Sequence, residues 1–135
     1  MNEIISLLTI LILIIILGVV LMIWIQKYKH SKFSKKDIKK FIRYYEQIRR
    51  EKDYKHAILD ADKLLDEILF KKGYQGSLGE KLKQSKRLFS NIDDVWIAHK
   101  IRNKIAHEMS YKPSKSEYQK AMTSFKKAYK DLGIL

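Results

Sequence analysis

The sequence predicts an all-α chain: a single N-terminal transmembrane helix followed by a bundle of four to five helices. Three observations predict it. An uncharged run extends from Ile4 to Ile25. From Ser34 onward the apolar residues recur at a 3.6-like spacing, and no stretch alternates as a strand would. One proline and five glycines in a Leu/Ile/Lys-rich chain suit helices rather than a many-stranded sheet. The chain accordingly divides into an anchor over 1–26, a basic juxtamembrane connector over 27–33 and a helical domain over 34–135. The last is long enough for one compact core and too short for two domains.

The apolar run would reach roughly 33 Å as a helix, against roughly 30 Å of hydrocarbon. Ser6 and Thr9 are its only polar side chains, and each can bond back to its own helix. Trp24 and Tyr28 lie at the inner end, where amphipathic rings favour the headgroup level. A cleaved signal peptide would need a basic leader, a shorter apolar core and a small-residue cleavage site. Here the leader is Met-Asn-Glu, the core is longer, and no A-x-A pattern follows. An uncleaved, single-pass anchor is expected. Lys27, Lys29, Lys32, Lys35 and Lys36 follow the span, against Glu3 before it. The positive-inside rule then puts the N-terminus outside and the helical domain in the cytoplasm. The same lysines can touch anionic lipid, although fixing topology is the larger part of their job.

Net charge is +13, and Glu3 is the only charged side chain before Lys27, so the excess of positive charge lies after the anchor. A domain that basic is drawn to polyanions, either nucleic acid or anionic lipid. There is no cysteine, which excludes disulfides and thiolate metal sites.

Helix signals follow in order. Ser34 can cap a first helix with Asp37 three residues on; its apolar stripe is Ile38, Phe41, Ile42, Tyr45 and Ile48. A second helix starts near Asp53. Ile58, Ala61, Leu64, Leu65, Ile68 and Leu69 line one face, and Gly73 supplies the stop. Leu59 and Phe70 fall on its opposite side and suggest a second buried contact, within the bundle or with another chain. "SLGE", Ser77 to Glu80, is a capping box opening a short third helix with Leu78, Leu82 and Phe89. Asn91 can cap a fourth. Ser114 and Glu117 box the start of a fifth, whose stripe is Tyr118, Ala121, Met122, Phe125, Ala128, Tyr129 and Leu132. Links this short make neighbouring helices antiparallel.

The fourth helix carries "IRNKIAHE", Ile101 to Glu108. On a helical wheel Arg102 falls inside the apolar arc, beside Val95, Ala98 and Ala106. A polar stripe of His99, Asn103 and His107 runs next to it. That places Arg102 on the rim of a cluster of two imidazoles and an amide. Arginine cannot shed its proton, and an uncompensated buried charge costs several kcal/mol. It therefore needs an anion. Asp60, Asp62, Asp66 or Glu67 on the second helix could supply one from within. An RNA phosphate could supply one from outside. His107 could equally serve the helix end, where positive charge is favoured.

"RNKIAH" fits R-x4-H with Asn directly after the Arg, in a late helix of a small bundle. In this the chain resembles the HEPN superfamily over roughly 34–135. The resemblance implies a HEPN-like bundle and, in many members, a metal-independent ribonuclease of toxin or defence type. Such members act as dimers that join two motifs across an interface. Carried over by position, Arg102 would hold the scissile phosphate, and His107 would move protons between the attacking 2′-hydroxyl and the leaving 5′-oxygen. Asn103 would orient the histidine or donate to phosphate. The products would carry a 2′,3′-cyclic phosphate. No cofactor or metal is expected: His99 and His107 are poorly spaced for zinc, with no carboxylate between them. His99 lies outside the family motif and is assigned no chemistry.

Lys39, Lys40, Arg43, Lys81, Lys83, Lys100, Lys104, Lys126 and Lys127 would supply sequence-independent attraction to RNA, or simply a solvated surface. Many HEPN domains lack catalysis. The alternative is thus a membrane-tethered helical module that dimerises or recruits a cytoplasmic protein, with Arg102 structural. A third reading is a sensor of anionic lipid or nucleotide.

Overall fold

The computed structural model describes residues 1–28 and 32–135, and the backbone alone at Asn2 and 25–28. Lys29 and the side chains of Lys27 and Tyr28, read above as topology and interface signals, lie outside the described residues. The chain is all-helical, with no strand among the described residues, and divides into two units, Met1–Ser31 and Lys32–Leu135.

The first unit is helix α1 (Asn2–Tyr28). From Glu3 to Trp24 its mean hydropathy is 3.4, which makes it long and apolar enough to cross a membrane. Thr9 Oγ1 donates to the Ser6 carbonyl at 2.8 Å, so this hydroxyl is satisfied by its own helix and places no unpaired polar group on the apolar surface.

The second unit holds α2 (Lys35–Arg50), α3 (Tyr54–Lys71), α4 (Leu78–Ser85), α5 (Ile92–His107) and α6 (Lys115–Asp131). Three of these begin at capping boxes: Ser34 with Asp37, Ser77 with Glu80, and Ser114 with Glu117. In each, the hydroxyl and the carboxylate take up backbone N–H groups that the first helical turn leaves free. Asp53 and Asn91 cap α3 and α5 through one side-chain oxygen each. α3 stops at Gly73, φ +106°. There the Tyr74 N–H reaches back to the Leu69 carbonyl and that of Gly73 to Phe70. Only glycine takes up this left-handed position without strain.

α3 is the hub of the bundle. α2 runs antiparallel to it, since Lys71 near the end of α3 pairs with Asp37 at the start of α2, and Lys40 pairs with Glu67. α6 runs parallel to α3. Tyr54 and Tyr118 stack at their starts, 4.2 Å between centroids, and the Tyr129 hydroxyl further along donates to the Ala61 carbonyl at 2.7 Å. α5 runs antiparallel to α6, with Asp131 at the end of α6 accepting from Ser90 just before α5. The core so enclosed includes Phe41, Ile58, Leu65, Ile68, Leu69, Leu82, Phe125 and Tyr129, each almost wholly buried. Each such apolar side chain contributes about 1.5–3 kcal/mol relative to exposure.

Several expectations need correction. The third bundle helix ends at Ser85, whose hydroxyl bonds back to the Lys81 carbonyl, and a 3-10 turn (Lys86–Leu88) follows. Phe89 is buried, yet it reaches the core from beyond that turn. Phe70 is 56% exposed and makes no second core contact; the ammonium of Lys81 lies 5.3 Å over its ring. Lys81 is not surface charge: its side chain is 5% exposed and its Nζ pairs with Asp66 at 2.8 Å. Ala106, placed in the apolar arc by the wheel, is exposed, because the contact of α5 with the core gives out beyond Ile105.

Candidate functional site

The site grows from one carboxylate. Asp62 faces inward from the middle of α3, with its side chain 4% exposed. Its neighbours Ala61, Leu65 and Ile58 are buried core residues. A carboxylate so placed needs donors, and α5 supplies two from successive turns. His99 Nδ1 lies 2.8 Å from Asp62 Oδ1. Arg102 Nε lies 3.1 Å from Asp62 Oδ2. The spacing of three puts His99 and Arg102 on one face of α5, and the buried Val95, Ala98 and Ile101 press that helix against the core.

The two contacts differ in kind. A carboxylate can only accept, so the His99 Nδ1 carries the hydrogen and donates it. That leaves Nε2 as the uncommitted nitrogen of the ring. The Arg102 Nε is buried and close to Asp62, but among the described residues its N–H points at no acceptor. The attraction there is ionic rather than an aligned hydrogen bond. Arg102 Nη1 instead donates to Asn103 Oδ1 at 3.0 Å. The arginine side chain is 35% exposed although its Nε is buried. Behind Asp62, burial and then the negative charge of Asp62 hold the Tyr129 phenol well above its ordinary pKa.

Arg102, Asn103 and His99 open on a groove of about 550 Å³ between α3, the start of α4 and α5. Leu59, Asp60, Asp62, Lys63 and Asp66 of α3, Gly76 and the capping Ser77, and Leu78 and Gly79 of α4 complete its walls. A second groove, about 430 Å³, lies between α2 and α3 and contains none of the motif residues. Among the described residues no three of His, Asp and Glu converge as metal ligands would.

The structure brings Arg102 and Asn103 together and leaves His107 apart. His107 is the last residue of α5, exposed, outside the groove and without a hydrogen bond or ion pair among the described residues. The polar stripe of His99, Asn103 and His107 thus runs from core to solvent. The expected cluster of two imidazoles holds one, His99. Four acidic residues of α3 were candidates to meet Arg102, and Asp62 is the one that does. Asp66 and Glu67 are taken by Lys81 and Lys40. His99, which lies outside the R-x4-H spacing, belongs to the site all the same. Its signal was the i, i+3 spacing to Arg102, which predicts a shared partner.

Of the basic residues read as a polyanion-attracting surface, Lys39, Arg43, Lys83, Lys100, Lys104, Lys126 and Lys127 are exposed. Lys40 is exposed but paired with Glu67.

No family model, curated protein or solved structure matches the chain.

Proposed function

We propose that the chain is a membrane-anchored HEPN-like protein that cleaves RNA by attack of the RNA's own 2′-hydroxyl, with Arg102, Asn103 and His107 as its working residues. The observation that carries this reading is the attitude of Arg102. Its inner nitrogen is held at Asp62, and its outer guanidinium, steadied by Asn103, is left to a groove. A guanidinium fixed in this way matches the geometry of a phosphate and loses little freedom on binding one. The exposed lysines add sequence-independent attraction.

Arg102 and His107 diverge by roughly 140° around the helix and roughly 7.5 Å along it. One chain does not bring both to a single phosphate. A second copy, supplying His107 to the first copy's Arg102, completes the site, in keeping with the dimers that the resemblance implies. Tethering raises the local concentration of copies and favours that pairing. The basic residues that follow the apolar span support, by the positive-inside rule, a helical unit on the cytoplasmic side, where RNA is present.

A second reading is favoured by the depth of Asp62. Its carboxylate is buried and serves both α5 cations, so Arg102 also meets a structural demand. On that reading the chain is a non-catalytic module that pairs with itself or with a cytoplasmic protein.

The test uses the full chain in detergent micelles with end-labelled RNA in EDTA. Cleavage leaving 2′,3′-cyclic ends, reduced at least about 100-fold in a folded His107→Ala protein, is the expected outcome. Intact RNA, together with an Arg102→Ala chain that unfolds while His107→Ala stays folded, gives the second reading.

A further inference from the structure

We infer that His99 is a second proton-transfer residue of this site, taking the 2′-hydroxyl proton of an RNA phosphodiester bound in the groove against Arg102. The inference rests on the RNA-cleaving reading above and adds a residue that lies outside the R-x4-H motif.

The His99 ring is buried yet lines the groove, so it meets solvent there and little elsewhere. Asp62 engages the ring at Nδ1, which donates to the carboxylate, so Nε2 is the nitrogen left for exchange with a ligand. Orientation of an imidazole by a buried carboxylate is the arrangement that readies the opposite nitrogen for proton transfer. Arg102, three residues on, shares that carboxylate and lines the same groove. A base and a phosphate-binding cation are thereby held on one rigid helix face by one anchor. The Trp96 ring, edge-on to His99 at 5.9 Å, fixes the imidazole plane from its own helix.

The charges around His99 are accounted for. Asp62 is occupied by His99 and Arg102, and Asp66 by Lys81. Asp60 and Lys63 both line the groove wall. The first turn of α4, Ser77 to Gly79, lines the groove with the positive end of its helix. An anion in the groove meets Arg102, the cation that α5 brings to it.

His99 Nε2 takes the proton of the 2′-hydroxyl, and that oxygen forms its bond to phosphorus. The bond from phosphorus to the 5′-oxygen breaks, and the oxygen leaves with the electron pair. It takes a proton from His107 of the second copy, since His107 of the same chain lies roughly 12 Å along α5 from His99. The His99 imidazolium returns its proton to solvent, and His107 regains one.

The full chain in micelles, with ¹⁵N-labelled histidine, is titrated with uridine 3′-monophosphate while its imidazole resonances are followed. RNA cleavage is measured on the same samples. Two results are expected together: the His99 Nε2 signal moves and saturates while His56 stays in place, and folded His99→Gln cleaves at least about 100-fold more slowly than the parent chain. The nucleotide titration needs no variant, so it stands if His99→Gln fails to fold. An unmoved His99 signal overturns the inference, as does a folded His99→Gln that cleaves at the parent rate. If cleavage persists in either case, the RNA reading survives on His107 alone. A His99 signal that moves in a chain that cleaves nothing overturns both, and leaves the groove as a phosphate site only.

Discussion

Asp62 Oδ1 and His99 Nδ1 meet at 2.8 Å, with almost all of both side chains out of solvent. The contact ties the middle of α3 to the middle of α5. Arg102 joins it from the second carboxylate oxygen. Replacing Asp62 by Ala strands a buried N–H and a half-buried cation together. Loss of one side of a buried pair costs about 3–5 kcal/mol. The low end applies here, because the outer guanidinium of Arg102 can turn to water. Urea unfolding of Asp62→Ala should show a loss of about 3 kcal/mol. Arg102→Ala should lose less, and a larger loss from Arg102→Ala would contradict this arrangement.

Tyr129 and Ala61 give a gentler case. The phenol is wholly buried and donates to a carbonyl inside α3. Tyr129→Phe keeps the ring and its stacking while removing the donor. The loss should be about 1 kcal/mol, the net value of a single neutral hydrogen bond. Thermal melting followed by circular dichroism measures it, and a loss as large as that of Asp62→Ala would mean that the hydroxyl holds more than the carbonyl.

Lys81 is buried in an ion pair whose partner, Asp66, is 42% exposed. Its stem is buried, and its ammonium, over the Phe70 ring, requires the carboxylate. Methionine keeps the stem and removes the charge that had to be desolvated. Lys81→Met should therefore fall within about 1 kcal/mol of the parent, while Lys81→Ala, which loses the stem as well, should fall clearly below it. Paired denaturant titrations decide the order.

The helix caps set the acid behaviour. The Ser77 backbone N–H, and then its hydroxyl, hold Glu80 below the usual carboxylate range. The Ser114 N–H and then the Tyr111 hydroxyl do the same for Glu117, and the Ser34 hydroxyl for Asp37. A carboxylate whose folded value is depressed lends stability above its unfolded value, about 4. That stability is lost as pH falls through the folded values. The melting temperature should hold near neutrality and drop below about pH 4. On the alkaline side burial, and next the bond to Glu117, push Tyr111 up to about 12. Its share of stability is complete below about pH 10 and disappears as pH rises through about 12. Phenolate absorbance against pH follows this directly.

The absence of cysteine makes orientation simple to measure. A single Lys115→Cys reporter, at the exposed start of α6, should react with a membrane-impermeant maleimide only after cells are opened. Labelling of intact cells would put the helical unit on the other side of the membrane.

The legible parts of this fold are those set by near neighbours in the chain. Ser34, Ser77 and Ser114 each find their acidic partner three residues on, so the start of each helix can be read without knowing what it packs against. Gly73 marks a stop for the same reason. Phe89 was misplaced because the back-bonding of Ser85 and the turn after it depend on how tightly α4 meets α3. The site shows the same division. The place of Arg102 on the apolar side of α5 is a matter of helical spacing and was readable. That Asp62, rather than Asp60, Asp66 or Glu67, would answer it depends on how far α5 sits along α3, and spacing within one helix does not encode that. Lys81 looked like surface charge for a similar reason: its carboxylate is on another helix.

That last dependence runs the other way in the folded molecule. Val95, Ala98 and Ile101 are small or similar in outline, and an apolar seam of such residues would pack almost as well after a slide of one helical turn. The Asp62 carboxylate would not permit it. A displacement of roughly 5.4 Å would carry either His99 or Arg102 off its oxygen, and the acid one turn along α3, Asp66, is already held by Lys81. The trio is thus an indexing pin. It converts a greasy, forgiving interface into one with a single permitted setting, and it does so at the groove where the position of α5 decides what can bind.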